Sequence, residues 1–466
     1  MQLPILSGIY VDNGPDLRTS YPVNMVPVPK KSGISNGFLR PGDGIVGNGS
    51  GPGTDRGGIE WRGQCYRVMG TKLCLISNTG AIETLGDVGT GDLVTMDYSF
   101  DLLAIASGGR LYYWDGATLV QNVDPDLGLV IDVCWVDGYF MTTDGDSLVV
   151  TDLNNPLAVN PLKYGSSEVD PDPVTSLLKI RDEVYAVNRN TIEVFDNIGT
   201  QYFPFQRVDG AQITKGCVGV HACCVYLDRI AFLGSGRNES PGVHLGENGQ
   251  TQKISTQEID DILLSYTSVQ LAGVKLEARN NRSHQLLYVH LPDRTLVYDA
   301  AASAELEKQV WFVLTSATVG FSAYRARNFV WCYDRWLVGD PSSNAIGYLV
   351  EDVGTHWGQQ VRWQFATTIT YNDGNGAIFN RLELVALTGR VELGINPVIT
   401  TQYSLDGVSW SQSKDVRVGT IGNTRSRLVW WRQGHMRNWR IQRFQGTSDA
   451  HVSFARLEAD LEPLAW

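Results

Sequence analysis

One pattern recurs along this chain and restricts its fold more than any other: an apolar strand, a short polar turn, and a second apolar strand closing on Asp or Asn. It occurs in "YRVMGTKLCLISN", ending at Asn78, and in "LLAIASGGRLYYWDG", closing at Asp115. It occurs again in "FMTTDGDSLVVTDLNNP", whose second strand ends at Asp152. "EVYAVNRNTIEVFDN" closes at Asp196, "LLYVHLPDRTLVYDA" at Asp299 and "NFVWCYDRWLVGD" at Asp340. The closing residues lie 37, 37, 44, 103 and 41 apart. The long interval divides into two units near ~51 if "RIAFLGSGRNESPGVHLGEN", Arg229 to Asn248, is the missing hairpin. Strand-rich repeats of this length are propeller blades. Segments such as "AIETL" and "LVTMDYS" supply the remaining strands of a four-stranded unit. The chain is therefore expected to be all-β, with a six- or seven-bladed β-propeller over residues 59–350.

The flanks differ from the repeats. Residues 1–58 are rich in Gly and Pro, as in "YPVNMVPVPKKSGISNGFLRPGDG", and read as an extended docking arm without a core of its own. Its segments "LPILSGIYV" and "YPVNMVPVP" are apolar enough to seek burial on a neighbouring surface, and the blades are expected to close without it. Residues 351–466 carry longer alternating strands, among them "VRWQFATTITY", "FNRLELVAL", "NWRIQRF" and "AHVSFARLEADL", the pattern of a C-terminal β-sandwich. One helix is expected at "STQEIDDILLSYT", with Ser255 and Glu258 as a capping box and Ile259, Ile262, Leu263 and Tyr266 on one face.

Charge narrows the function classes. A net charge of −12 over 466 residues disfavours wrapping nucleic acid, because phosphates repel it and no counterion release drives binding. Seven cysteines without a CxxC pair suit free thiols in a reducing cytoplasm. No basic segment precedes an apolar core at the N-terminus, so no signal peptide is expected. The longest uncharged apolar stretch, Val310 to Tyr324, is too short to span a bilayer, and no membrane insertion is expected.

Four clusters could carry chemistry. Asp144, Asp146, Asp152, Asn154 and Asn155 crowd together, but Leu148 and Val149 fall where a calcium loop needs oxygens and its turning Gly. The Asp-Gly hairpin turn is the better reading. Cys217, His221, Cys223 and Cys224 are soft-metal ligands within eight residues. One short strand cannot wrap a tetrahedral ion, so buried thiols are expected, and metal binding by Cys217, His221 and Cys223 stays open. Arg425, Arg427, Arg432, Arg437, Arg440 and Arg443 alternate with Trp430, Trp431 and Trp439. That stretch reads as arginine stems covering a sheet or a subunit contact in preference to a single-strand binding platform. "YSLDGVSWS", Tyr403 to Ser411, is one residue short of an Asp-box turn. No nucleophile-elbow, zinc-protease or phosphate-loop motif is present. No catalytic, cofactor-binding or metal residue is therefore assigned.

Several phrases, in this order, resemble a known family. They are "YPVNM" (Tyr21–Met25), "YRVMGTKL" (Tyr66–Leu73), "DGDSLVVTDLNNP" (Asp144–Pro156), "TIEVFDNIG" (Thr191–Gly199), "KGCVGVHA" (Lys215–Ala222), "ISTQEIDDILLSYT" (Ile254–Thr267), "LLYVHLPDRTLVYD" (Leu286–Asp299) and "GDPSSNAIGYL" (Gly339–Leu349). Together they resemble the packaged-DNA stabilisation proteins, also called tail hub or nozzle proteins, of short-tailed bacteriophages. The resemblance implies a non-enzymatic virion protein without cofactors, made in the bacterial cytoplasm and built into the virion tail. It implies docking below a portal–adaptor ring and self-association into a ring, a hexamer in the family, through which genomic DNA passes. It also implies contacts with tail fibre or tailspike and needle or plug proteins. The alternatives are a sialidase-like propeller glycosidase acting on host surface glycans, and a general interaction scaffold.

Overall fold

The computed structural model describes residues 1–5, 22–30, 33, 35–153, 155–391 and 394–464. Each expected hairpin is present, because β-branched and aromatic residues alternate on both sides of turns that Gly, Asp and Asn can make. The two-residue turns Arg62-Gly63, Asp137-Gly138, Leu227-Asp228 and Tyr333-Asp334 all take positive φ. That geometry matches the twist of the strands they join.

The hairpins assemble into seven antiparallel sheets. Blade 1 consists of Asp55–Trp61, Gln64–Met69, Lys72–Ile76 and Ile82–Asp87. The first strands of blades 2 to 4 are Thr95–Tyr98, Asp132–Val136 and Val174–Ile180. In blade 5, Gly216–Cys217 and Cys223–Tyr226 share that position, and Lys275–Asn281 and Arg327–Cys332 open blades 6 and 7. Each first strand touches the first strand of the next blade, and that of blade 7 touches that of blade 1. The ring thus closes at seven. Arg229–Ser235 and Gly242–Glu247 supply the hairpin missing from the repeat. The hairpin ending at Asp340 sits one strand out of step with the others: it pairs the first and second strands of its blade, not the second and third.

Closure is where the expected arm is corrected. The outer strand of blade 7 is Gly44–Ser50, antiparallel to Ala345–Val350. Blade 1 begins at Asp55. Residues 44–50 and 55–58 are therefore blade strands: the region assigned to the arm supplies the fourth strand of blade 7 and the start of blade 1. The glycines that made this stretch look like loop allow close strand approach. A Cβ on Gly44 would lie 2.2 Å from the Val353 carbonyl oxygen, and one on Gly347 would lie 2.7 Å from that of Val46. The upstream hairpin, Met25–Pro29 with Gly37–Pro41, is also not an extended arm. It joins a seven-stranded sheet of the C-terminal sandwich, as does Gln2–Leu3. Most of "LPILSGIYV" lies outside the described residues.

The sandwich stacks that sheet, which includes Ala377–Ala386, Leu428–Trp431 and Phe454–Pro463, on a five-stranded one. The second sheet contains Arg362–Ala366, Val398–Ser404, Lys414–Arg417 and Trp439–Thr447. Met25, Leu39, Trp363, Phe365, Phe379, Phe444 and Phe454 fill the space between them. Each such side chain contributes about 1.5–3 kcal/mol on burial. Between blades the core is equally apolar, as where Tyr185, Val187, Ile230, Phe232, Val289 and Trp311 belong to one buried cluster.

The expected helix is α1 (Gln257–Leu264), with Ile259 and Leu263 buried. Its capping box is not formed. Thr256 takes the N-cap position without a side-chain bond, while Ser255 Oγ accepts from the Val243 amide at 3.1 Å. The reciprocal box lies one helix later, between Thr267 and Gln270 of α2 (Ser268–Ala272). A third helix, α3 (Ala300–Leu306), starts at Asp299, whose carboxylate accepts from the Ala301 and Ala302 amides. No helix among the described residues is long and apolar enough to cross a membrane.

Candidate interaction surfaces and the propeller–sandwich junction

The Asp144 cluster is a turn. Asp144 Oδ1 accepts from the Asp146 amide at 2.9 Å and the Ser147 amide at 2.7 Å. Asn154 lies outside the described residues. Asp406 in "YSLDG" does the same, accepting from the Val408 and Ser409 amides at 2.8 Å each. In "GCVGVHACC", Cys217 donates to the Gly219 carbonyl at 3.2 Å, and Cys217 and Cys223 are buried on blade 5. The hydrogen bond with Cys217, then burial, pushes the Cys223 thiol well above its usual range. Burial, then neighbouring Lys275, pulls the His221 pKa down to about 3. No group of three or more His, Cys, Asp or Glu among the described residues has a metal-binding arrangement.

The arginine–tryptophan stretch divides between interior and surface. Arg440 is fully buried, with its guanidinium 4.0 Å from the Phe379 ring centroid and 3.8 Å from that of Tyr403. It donates to Gln442 Oε1 and to the Gln433 carbonyl. Arg443 lies over Trp410 at 3.8 Å. Arg427 grips Glu383 through two bonds of 2.7 and 2.5 Å. Arg417, Arg425, Arg432 and Arg437 face solvent. The alternation seen in the sequence is thus partly sandwich packing and partly an exposed basic surface.

Around the propeller axis the acidic side chains are occupied by the fold. Asp97 of blade 2 accepts from the Trp135 amide of blade 3 at 2.6 Å. Asp132 of blade 3 accepts from the Leu177 amide and the Ser176 hydroxyl of blade 4 at 2.7 and 2.6 Å. Glu277 of blade 6 accepts from the Asn328 and Phe329 amides of blade 7 at 2.9 and 3.2 Å. Burial raises the pKa of both Asp97 and Asp132. At the closure, Asp55 and Arg67 form a buried bidentate pair at 2.8 and 2.9 Å, and Arg67 also donates to the Asn328 carbonyl at 2.9 Å. Glycosidase chemistry places two carboxyl groups on either side of a substrate bond. Asp97, Asp132 and Glu277 instead fasten one blade to the next.

The propeller and sandwich are welded by residues that sequence reasoning placed in the arm. Val23 bridges Val313 of blade 6 on one side and Gln364 of the sandwich on the other. Asn24, at φ 51°, bonds with Thr315 and the Arg362 carbonyl. Asp43 follows the sandwich strand Gly37–Pro41 and receives Arg40 at 2.8 Å and blade-6 Arg279 at 2.7 Å. Burial pushes the Asp43 carboxyl up, but the two guanidiniums overcome it and hold the pKa at about 2. Beside this pair a groove of about 980 Å³ opens between the turns of blades 5, 6 and 7. Its charges are largely matched within the chain: Arg282 pairs with Glu351 at 2.7 Å, and Arg335 donates to Asn78. The sequence signal for the weld was the "PVNM" phrase, whose role appears only when three distant segments meet.

Comparison with known proteins accounts for both halves. Residues 1–354 match the family described as "Bacteriophage P22 Gp10, beta-propeller", and residues 362–462 match "Bacteriophage P22 Gp10, beta-sandwich". The tail hub protein gp10 of Salmonella phage P22 is 28% identical over 458 residues, covering 94% of each chain. Two solved structures are more distant. The Pan2 WD40 domain of Neurospora crassa has a TM-score of 0.42 at 10% identity, covering 66% of this chain and 95% of that one. PorZ of Porphyromonas gingivalis scores 0.38 at 11% identity, covering 78% of this chain and 46% of that one. Neither adds to the fold argument. With its propeller and sandwich in the same order along one chain, this protein belongs to the bacteriophage P22 Gp10 family.

Proposed function

We propose that this chain is a non-enzymatic structural protein of a phage tail: the hub that docks below the portal–adaptor complex, retains the packaged genome and supports fibres or spikes. The observation that carries the reading is the alignment with the tail hub protein of phage P22 through 94% of both chains, propeller and sandwich included. Three features support it. Carboxylates on the blades' first strands are spent on blade-to-blade bonds, as a scaffold would use them. The net charge of −12 suits a conduit that DNA must leave without adhering. The free thiols, six of the seven buried, suit assembly in the reducing host cytoplasm. In this reading copies of the chain form a ring, with the hexamer as the expected closure, and DNA exits through it.

The test is complementation of tailless, DNA-filled capsids that carry a portal and adaptor. Added protein is expected to bind the vertex, appear as a ring by electron microscopy and protect the DNA from nuclease. Capsids that leak as fast with the protein as without it would refute the assignment.

A further inference from the structure

Two surfaces of the chain are opposite in charge and lie on opposite sides of the propeller axis. The first is the outer edge of blade 3. Its last strand, Asn155–Gly165, has eleven residues and pairs with its neighbour through two register shifts. Leu157, Leu162 and Tyr164 stand exposed on it, Leu162 at 66%. The corresponding strands of blades 4 and 5, "FQR" and "QTQK", expose only polar side chains. Residues 121–173 hold ten Asp or Glu, of which Asp132 is buried against blade 4 and Asp170 is paired with Arg237, and a single Lys. That Lys, Lys163, is already paired with Asp152 at 2.7 Å.

The second surface is the edge of the sandwich formed by Lys414–Arg417 and Leu428–Trp431, opposite in each sheet to Arg362–Ala366 and Met25–Pro29. Among residues 416–448, which hold no acid, Arg417, Arg425, Arg432 and Arg437 are exposed, while Arg427 is paired with Glu383 and Arg440 is buried. The loops there are bound together by the Gly422 amide on the Gly389 carbonyl and Thr388 Oγ1 on the Asn423 carbonyl, both at 3.0 Å. They expose Leu387 at 64% and Ile421 at 52% beside exposed Arg417 and Arg425. The sandwich is attached at blades 6 and 7, through residues 22–24 and 42–44. Blade 3 is three to four blades away around a ring of seven, on the opposite side of the axis.

We propose that the acidic, apolar edge of blade 3 binds the arginine-bearing edge of the sandwich of a second copy, head to tail. Complementary patches on opposite sides of one chain form a heterologous contact, the kind that closes into a ring when its rotation permits. Opposite charge provides attraction and register, and the exposed leucines and isoleucine provide apolar area to bury. A two-fold contact of either patch with itself would set like charges against each other. This inference rests on the ring-forming reading above and names its interface.

The experiment uses two full-length variants altered only at exposed positions. The edge variant is Asp126→Arg with Glu168→Arg, and the sandwich variant is Arg417→Glu with Arg425→Glu. Sedimentation velocity at rising protein concentration and low salt reads association, and circular dichroism checks that both variants melt as the parent does. Each variant alone is expected to associate at least roughly ten-fold more weakly than the parent. An equimolar mixture should restore association, because each reversed patch then meets a complementary one. A parent that stays monomeric, variants that associate like the parent, or a mixture without rescue would each overturn the proposal. Sealing of tailless capsids by the parent is scored separately, so the hub reading can survive the loss of this interface.

Discussion

The side-chain amide of Asn24 pairs with the backbone of Thr315 as a neighbouring strand would. Nδ2 donates to the Thr315 carbonyl at 2.8 Å, and Oδ1 accepts from the Thr315 amide at 3.0 Å. The same Nδ2 reaches the Arg362 carbonyl at 2.7 Å, so one residue holds the end of blade 6 to the start of the sandwich. Asn tolerates the positive φ this position requires.

Asn24→Ala removes all three bonds and leaves buried backbone groups unpaired, so a loss of about 3 kcal/mol is expected. Asn24→Asp keeps the acceptor but loses the donors and is expected to be destabilising as well. Urea unfolding gives the magnitude. Limited proteolysis should show faster cleavage in the 351–361 connection if Asn24 is the clamp, and an unchanged pattern would refute that role.

Truncation separates the blade strand from the rest of the N-terminal region. Deleting residues 1–50 removes the outer strand of blade 7 and bares the edge of Ala345–Val350. Exposed edges pair with other chains. The truncated protein is expected to aggregate or lose its cooperative melt, measured by circular dichroism and light scattering. A sharp, parent-like transition would mean that the propeller does not depend on this closure.

Acid should loosen the junction through Asp43. Its carboxyl, at about 2 in the folded chain against 3.8 for a free group, is depressed. Its contribution is therefore complete above pH ~4 and lost as the pH falls toward 2, on the order of 2 kcal/mol. His356 adds to this from a higher pH. Burial, then Arg325, lowers its pKa to about 3, so its stabilising neutral state is lost as the pH falls from ~6.5 through 3. Melting temperature is expected to decline below pH ~6.5 and more steeply below ~4. In Asp43→Asn the steeper step should shrink, at lower overall stability.

Within the arginine stretch, position decides the outcome. Arg440→Ala empties a site between Phe379 and Tyr403 and should cost about 3 kcal/mol. Arg437→Ala, exposed, should stay within about 0.5 kcal/mol of the parent. Gel shifts with single- and double-stranded DNA at physiological salt should show weak binding at most. Tight binding abolished by Arg437→Ala would mark this surface as a DNA contact.

Calcium should leave the melt unchanged, because Asp144 already spends Oδ1 on the turn amides. Asp144→Ala should cost about 1 kcal/mol through those two bonds. A rise in Tm with micromolar calcium would overturn the turn reading.

By itself the sequence determined the local structure: the hairpins with their closing Asp or Asn, the alternating strands of the sandwich, and the apolar face of α1. Each follows from periodicity and turn chemistry within a dozen residues, where side-chain alternation and φ preference act directly. Tertiary structure decided what depends on pairing across hundreds of residues. Gly44–Ser50 is a strand because Ala345–Val350 offers it an open edge, and no local propensity in "GIVGNGS" marks it as one. Asn24 is a clamp because blade 6 and the sandwich bring Thr315 and Arg362 to it. Arg440 is interior, and Arg437 is not, because the sheet pleat and the packing of Phe379 and Tyr403 enclose one and leave the other outside. Composition at 425–443 is uniform, and the division into core and surface arises only when the two sheets close over it.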